Sequence, residues 1–201
     1  MRKNLLKQLT LALLLTAAVP TLTAQVHVGD ILCEGNAIIS PANYPSSGAT
    51  AIGVVFYVDN TGQHGWAVAL QDAGRYQWGS HGSDTPLPNY DNQRQAIYDL
   101  DGYENTRIVR EHSTDHPAFY AVDFENGWYI PAIGQLNYLY GNLVEVNESL
   151  TMAGGGVFHA SEWHWSSTEK SGDNAWELYS SGTVANYSKT CNDYVRGVRN
   201  F

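Results

Sequence analysis

Pro131-Ala132-Ile133-Gly134-Gln135-Leu136-Asn137-Tyr138-Leu139-Tyr140-Gly141-Asn142-Leu143 is the stretch on which the reading of the chain turns. Ile133, Leu136, Leu139, Tyr140 and Leu143 recur at spacings of three and four, which is the single apolar stripe of an amphipathic helix. Pro131 suits a first helical turn, where a missing N–H costs nothing. A shorter helix is predicted over 102–111, and a further turn over 146–152 that stops at Gly154-Gly155-Gly156. On both sides of these helices the period changes. Residues 52–58 and 65–70 are β-branched and aromatic runs joined by a turn at Asp59-Asn60-Thr61-Gly62, the pattern of a hairpin. Residues 71–92, crowded with Gly, Ser, Asp and Pro, are predicted to form a loop. In the last third, residues 163–168, 174–179, 183–187 and 194–199 form four short runs between turn signals, a meander of strands. Strands, then helices, then strands describe an α+β domain in which the first and final strands can pair.

The chain has 201 residues, with 20 acidic and 11 basic side chains, a formal net charge of −9 and two cysteines. Residues 1–24 are expected to be a secretory signal: Arg2, Lys3 and Lys7 give a positive start, an apolar run follows, and Ala24 is a small residue for cleavage. That run covers only residues 9–19, too short to cross a hydrocarbon layer of roughly 30 Å. The mature chain, 25–201, shows no linker, charge block or repeat and is expected to be a single domain without membrane insertion. Three cations and no acid leave with the signal, so the charge moves from −9 to about −12. An acidic surface of this kind excludes nucleic acid as a partner. The expected location is secreted, in the periplasm or at the outer cell surface.

Cys33 and Cys191 stand near the two ends of the mature chain. In an oxidising compartment an isolated pair is expected to be bridged, which requires the termini to lie side by side; two unpaired thiols are the alternative. Cys33 follows Asp30-Ile31-Leu32 instead of small residues, so it does not suit lipid attachment.

Several short motifs carry a resemblance. Gly127-Trp128-Tyr129-Ile130-Pro131 with Gln135-Leu136, then Trp165-Ser166-Ser167-Thr168-Glu169, Ala175-Trp176, Ser181-Gly182, Lys189 and Val195-Arg196-Gly197-Val198-Arg199 occur in order over residues 52–199. This set resembles a bacterial family of C-type-lectin-like domains, long catalogued as a domain of unknown function, which includes the C-terminal domain of collagen-like adhesins. The resemblance implies two helices on a small antiparallel sheet with adjacent N- and C-terminal strands. It also implies a more distant similarity in fold to the formylglycine-generating enzyme. Trp128 and Trp165 suit the centre of a small core. Arg196 and Arg199 suit partners of carboxylates or loop carbonyls.

Four sets of residues are candidates for chemistry. Calcium-dependent sugar binding needs six to eight oxygen ligands, for which Asp173, Asn174, Asn192 and Asp193 are the first suspects; the "glutamate, proline, asparagine" loop is absent. His112 and His116, with Glu111 and Asp115, have i, i+4 spacing, and His159 and His164 lie five apart; exposed loop histidines are the expected reading, with no metal. The carboxylate pairs Asp99/Asp101 and Glu145/Glu148 are expected on solvated faces. The paired cysteines of the related enzymes have no counterpart, and neither a nucleophile elbow nor a phosphate loop is present, so no catalysis and no cofactor is expected.

What remains is a scaffold with Gly- and aromatic-rich loops at 76–82 and 158–164. Aromatic faces stack on sugars or anchor protein partners at small entropic cost. Trp78, His81, Trp163, His164 and Tyr187 are the candidate ligand-binding residues. The expected function is non-catalytic recognition of a glycan or a cell-envelope protein at a bacterial surface, with a structural subunit of a surface assembly such as a pilus tip as the alternative.

Overall fold

The computed structural model describes residues 25–158 and 161–201; the expected signal segment 1–24 and His159 lie outside the described residues. In chain order, β1 (Ile31–Cys33), β2 (Ile38–Ile39), the single turn α1 (Tyr44–Ser47), β3 (Ala51–Val58), β4 (Gly65–Ala69) and β5 (Gly74–Gln77) come first. The helical middle is α2 (Gln93–Ala96), α3 (Gly102–His112), α4 (Pro117–Tyr120), α5 (Ile133–Gly141) and α6 (Leu143–Met152). The chain closes with β6 (Trp163–Glu169), β7 (Asn174–Tyr179), β8 (Val184–Ser188), β9 (Asn192–Val195) and β10 (Val198–Asn200).

The class is α+β, built on two five-stranded sheets where a single small sheet was expected. The first sheet has the order β10-β4-β3-β1-β2, and all its pairs are antiparallel. Ile31, Val54, Val68 and Val198 stand opposite one another across four strands, a row of buried β-branched side chains that fixes the register. At the β3–β4 turn, Asp59 Oδ1 accepts bonds from Thr61 N (3.0 Å) and Gly62 N (3.1 Å), and Gly62 takes the left-handed φ of +71°. The first and last strands share this sheet but do not pair, because the β3–β4 hairpin lies between them.

The second sheet has the order β5-β9-β6-β7-β8. Only β6, β7 and β8 form the expected meander. The run expected as its fourth strand divides at Arg196-Gly197: β9 pairs parallel to β6, while β10 crosses to the first sheet. The crossing is pinned by Arg196, which is buried and donates from Nε to Ala69 O (2.9 Å) and from Nη2 to Leu70 O and Gly156 O (both 2.6 Å). β5 falls where a loop was expected; four residues with Gly and Arg give no alternation to detect, and β9 supplies its only ladder.

Ile133, Leu136 and Leu139 of α5 are buried as the stripe predicts, packed with Val54, Phe56, Trp176 and Leu178. Gln135 reaches back to accept from Ala132 N (3.0 Å), which caps the helix start. A second core lies under α3 and α4 and contains Trp78, Phe119, Ile130, Trp165 and Val195. Trp128 is only half-buried at its edge. Lys189 and Glu169, both fully buried, form an ion pair there; Lys189 Nζ also donates to Ser83 O (2.7 Å) and lies 4.5 Å from the Trp78 ring, and Thr85 Oγ1 donates to Glu169. Removing one charge of such a pair leaves the other buried and uncompensated, a cost of about 3–5 kcal/mol. Lys189→Met is therefore expected to lower the unfolding free energy in urea by about that amount. Pairing it with Glu169→Leu should restore part of the loss.

The expected disulfide is absent. Cys33 is buried beside Ile31 and Ala51 at the first sheet, whereas Cys191 lies against the second core, and both thiols are free. Cys33 ends β1 in the first sheet, while Cys191 directly precedes β9 in the second, so the two residues pack in different cores. The intact mass of the protein is expected to be unchanged by reductant, with both thiols alkylated after denaturation under non-reducing conditions.

Candidate functional site

The register of the second sheet assembles one face from distant residues. Trp165 stands opposite Glu177, and Glu177 opposite Ala185, so the alternation of each strand puts Trp163, Glu177 and Tyr187 on the same side. At the buried end of this face Trp165 belongs to the core. At the other end Trp163, Glu177, Ala185, Asn186, Tyr187 and Asp193 line a depression of about 330 Å³. Tyr187 and Asp193 also border a wider, shallow one of about 710 Å³, shared with Arg75, Thr190, Cys191 and Asn192. Together they form a groove over β7, β8 and β9. Trp163 packs at 4.7 Å on Tyr179, which holds its ring, and Tyr187 is 56% exposed.

Two carboxyls meet in the floor of this groove. Glu177 is only 3% exposed and is hydrogen-bonded to Asp193, and its buried Oε2 takes no bond from any amide, hydroxyl or ammonium among the described residues. Burial, followed by the charge of Asp193, pushes Glu177 up to about 8. Burial also raises Asp193, and Arg75 opposes that shift, with Nη2 3.8 Å from Asp193 Oδ1. Arg75 is itself engaged by Asn192 O, which accepts from Nε at 3.0 Å and Nη2 at 2.6 Å. Burial and the two carboxyls raise the Cys191 thiol, which keeps it protonated and a poor nucleophile.

The remaining candidates are placed elsewhere. Trp78 is fully buried, donating from Nε1 to Ser166 O (2.7 Å) and packing edge-on to Phe119, so it is a core residue and not a ligand contact. His81 is exposed and lies 3.4 Å from Asp173, away from the groove. His164 is buried on the opposite face of β6, between Tyr140 OH and Asp72 Oδ1, both at 3.3 Å. Asp72, Glu162 and His164 bring three potential ligand atoms within 4.8 Å of one another. Arg196 Nη1 is 3.8 Å from Asp72 and already supplies the positive charge there, so the cluster fits the counter-charge of a buried guanidinium better than a metal site. The calcium suspects are not gathered: Asp173 accepts from Gly82 N (2.9 Å), while Asp193 pairs with Glu177.

Three further expectations are corrected, the first two by burial. His116 is buried beside Trp78 and Phe119, where desolvation pushes it down toward the neutral form, and α3 ends at His112, so the two histidines share no helical face. Asp99 is buried and accepts from Thr168 Oγ1 (2.7 Å) and Asn105 Nδ2 (2.9 Å), where a solvated face was expected. Arg199 bonds the side-chain oxygen of Asn36 (2.8 Å), not a carboxylate or a backbone carbonyl.

The fold is similar to that of a fimbrial protein. The solved structure of a fimbrial protein from Bacteroides ovatus ATCC 8483 matches with a TM-score of 0.64 and 18% sequence identity, over 88% of this chain and 49% of that one. The chain therefore spans about half the length of that structure, and the likeness is one of fold. No family model matches the sequence, and no curated protein matches it.

Sequence reasoning found Trp163 and Tyr187 of the groove but missed Glu177 and Arg75, and took Asp193 only as a calcium suspect. One local signal existed for Glu177: in Asn174-Ala175-Trp176-Glu177-Leu178-Tyr179 it is a charge inside an otherwise apolar strand. Glu177 ionises near 4.5 when solvated and near 8 when folded, so its contribution to stability is full in acid and is lost as pH rises from about 4.5 to about 8. Glu177→Gln is expected to raise the melting temperature at pH 8 and to shrink the difference between pH 5 and pH 8, measured by thermal denaturation in parallel with the parent.

Proposed function

We propose that the mature chain is a secreted, non-catalytic recognition module of a bacterial surface assembly, and that it binds a glycan in the groove on the second sheet. The observation that carries this reading is the pairing of Trp163 and the exposed Tyr187 across a depression with polar groups in its floor. Aromatic faces stack on the C–H faces of sugar rings, while carboxyls and the Asn186 amide offer hydrogen bonds that fix orientation. The fold likeness to a fimbrial protein supports a surface setting, and the C-type-lectin-like motif order supports the finer family reading. Both rings sit on strands instead of loops, so they are held in place before the ligand arrives.

A second reading, docking as a structural subunit, is favoured by one observation. Ile52, Leu70, Val122 and Trp128 line a mainly apolar depression of about 360 Å³ near the junction of the two sheets. A glycan array with the mature protein separates the readings. Trp163→Ala and Tyr187→Ala are each expected to weaken glycan binding about fivefold or more with a near-unchanged melting temperature, since a stacked aromatic is worth at least ~1 kcal/mol. Trp128→Ala should leave glycan binding intact, and a chelator should have no effect. Silence on every glycan, with a cell-envelope protein captured through Trp128, would replace the first reading with the second.

A further inference from the structure

We infer that the groove selects sugars bearing a free, protonated amino group, an inference that rests on the glycan reading above. The geometry supplies two carboxyls, Glu177 and Asp193, facing each other between Trp163 and Tyr187. Asp193 has Arg75 as a neighbouring cation, but the Arg75 guanidinium is held by Asn192 O at the rim. Glu177 has no cationic partner among the described residues; its side chain lines the depression, and its buried Oε2 has no donor. An oxygen without a donor, on a side chain only 3% exposed, is the independent sign of a ligand, because the large majority of buried polar side-chain atoms in folded proteins are satisfied.

Among sugar substituents, an ammonium answers this arrangement best. It carries three donors and a full charge, enough to serve both carboxyls at once, and charge-assisted bonds are roughly twice as strong as neutral ones. The proton shared by Glu177 and Asp193 is then redundant and leaves to solvent, so the pair moves from one negative charge to two as the cation seats. A hydroxyl or an acetamide supplies donors but no charge, and leaves Glu177 protonated. The rings at both sides add a cation–π contribution and a stacking surface for the pyranose. The acidic balance of the chain attracts amines and repels sulfated or carboxylated sugars. The charged and titratable neighbours of the pair are Arg75 at the rim, His164 behind β6, and Cys191, whose thiol stays protonated.

The test is calorimetry at pH 7 with the mature protein and three probes: a disaccharide of glucosamine, its N-acetylated counterpart, and lysine amide. The expected result is at least tenfold tighter binding of the free-amine disaccharide than of the acetylated one. The heat should vary with the ionisation enthalpy of the buffer, which reports the released proton. Glu177→Gln should cut that preference below threefold and abolish proton release; Asp193→Asn provides the same comparison if Glu177→Gln fails to fold. Equal binding of the two disaccharides overturns the inference and leaves the glycan reading standing. Lysine amide binding as tightly as the amino sugar overturns the sugar selectivity. Absence of binding by every sugar, here and on the array, overturns both.

Discussion

Thr168 Oγ1, fully buried at the centre of the second sheet, is the joint from which the rest of the molecule hangs. It donates to Asp99 (2.7 Å) and accepts from Ile133 N (2.9 Å), so one hydroxyl fixes the start of α5 and the segment ahead of α3 to the same strand. Its neighbours repeat the device. Ser166 Oγ donates to Trp176 O (2.6 Å), Ser167 N to Pro131 O (2.8 Å), and Asn105 Nδ2 to both Asp99 and Ser167. Buried polar networks stabilise a unique packing only when every member is satisfied, and these members are. The short side chains leave room for close approach: a Cβ on Gly134 would sit 2.5 Å from Asp99 O, and one on Gly102 would sit 2.3 Å from Gln135 Oε1. Small residues and hydroxyls thus do at this junction what large apolar side chains do in the two cores on either side.

Rigidity at Thr168 sets the groove at the other end of the same strand. β6 is fixed along residues 165–169 by the core and by the network, so Trp163 leaves that anchored segment in a fixed direction. The opposite wall comes from β9, which runs parallel to β6 and is followed directly by Arg196, bonded to Ala69 O and Leu70 O. The groove is consequently a product of both sheets, although its residues belong to one.

The two buried acids differ in how they are partnered. Glu169 is matched by Lys189, Thr85 and the surrounding loop, a closed arrangement whose effect is on stability. Glu177 faces another carboxyl at an open depression, an arrangement that costs stability as pH rises and leaves binding capacity unused. Destabilising electrostatics at a concave surface mark functional sites more often than structural ones.

The helix α3, the start of α5, the β3–β4 hairpin and the strands β6, β7 and β8 were legible in the sequence to within a residue or two, because each is specified by a repeat of apolar positions inside one short window; α6 begins three residues earlier than expected, and the single turns α2 and α4 are too short to show a period. The apolar stripe of Ile133, Leu136 and Leu139 needed nothing else. The partnership of strands was not legible: β5 carries no alternation, and the run through Arg196-Gly197 has none of the signals that send β10 to another sheet. For the same reason Cys33 and Cys191 were expected together, and Trp78, set among glycines, was expected at the surface although Ser166 O draws it into the core. The sequence by itself determined the α+β class and the aromatic side chains of the groove. Tertiary structure alone decided that Trp163, Glu177, Tyr187 and Asp193 share a face and that one carboxyl there lacks a counter-charge, since periodicity records what each segment buries, and only long-range pairing records against what.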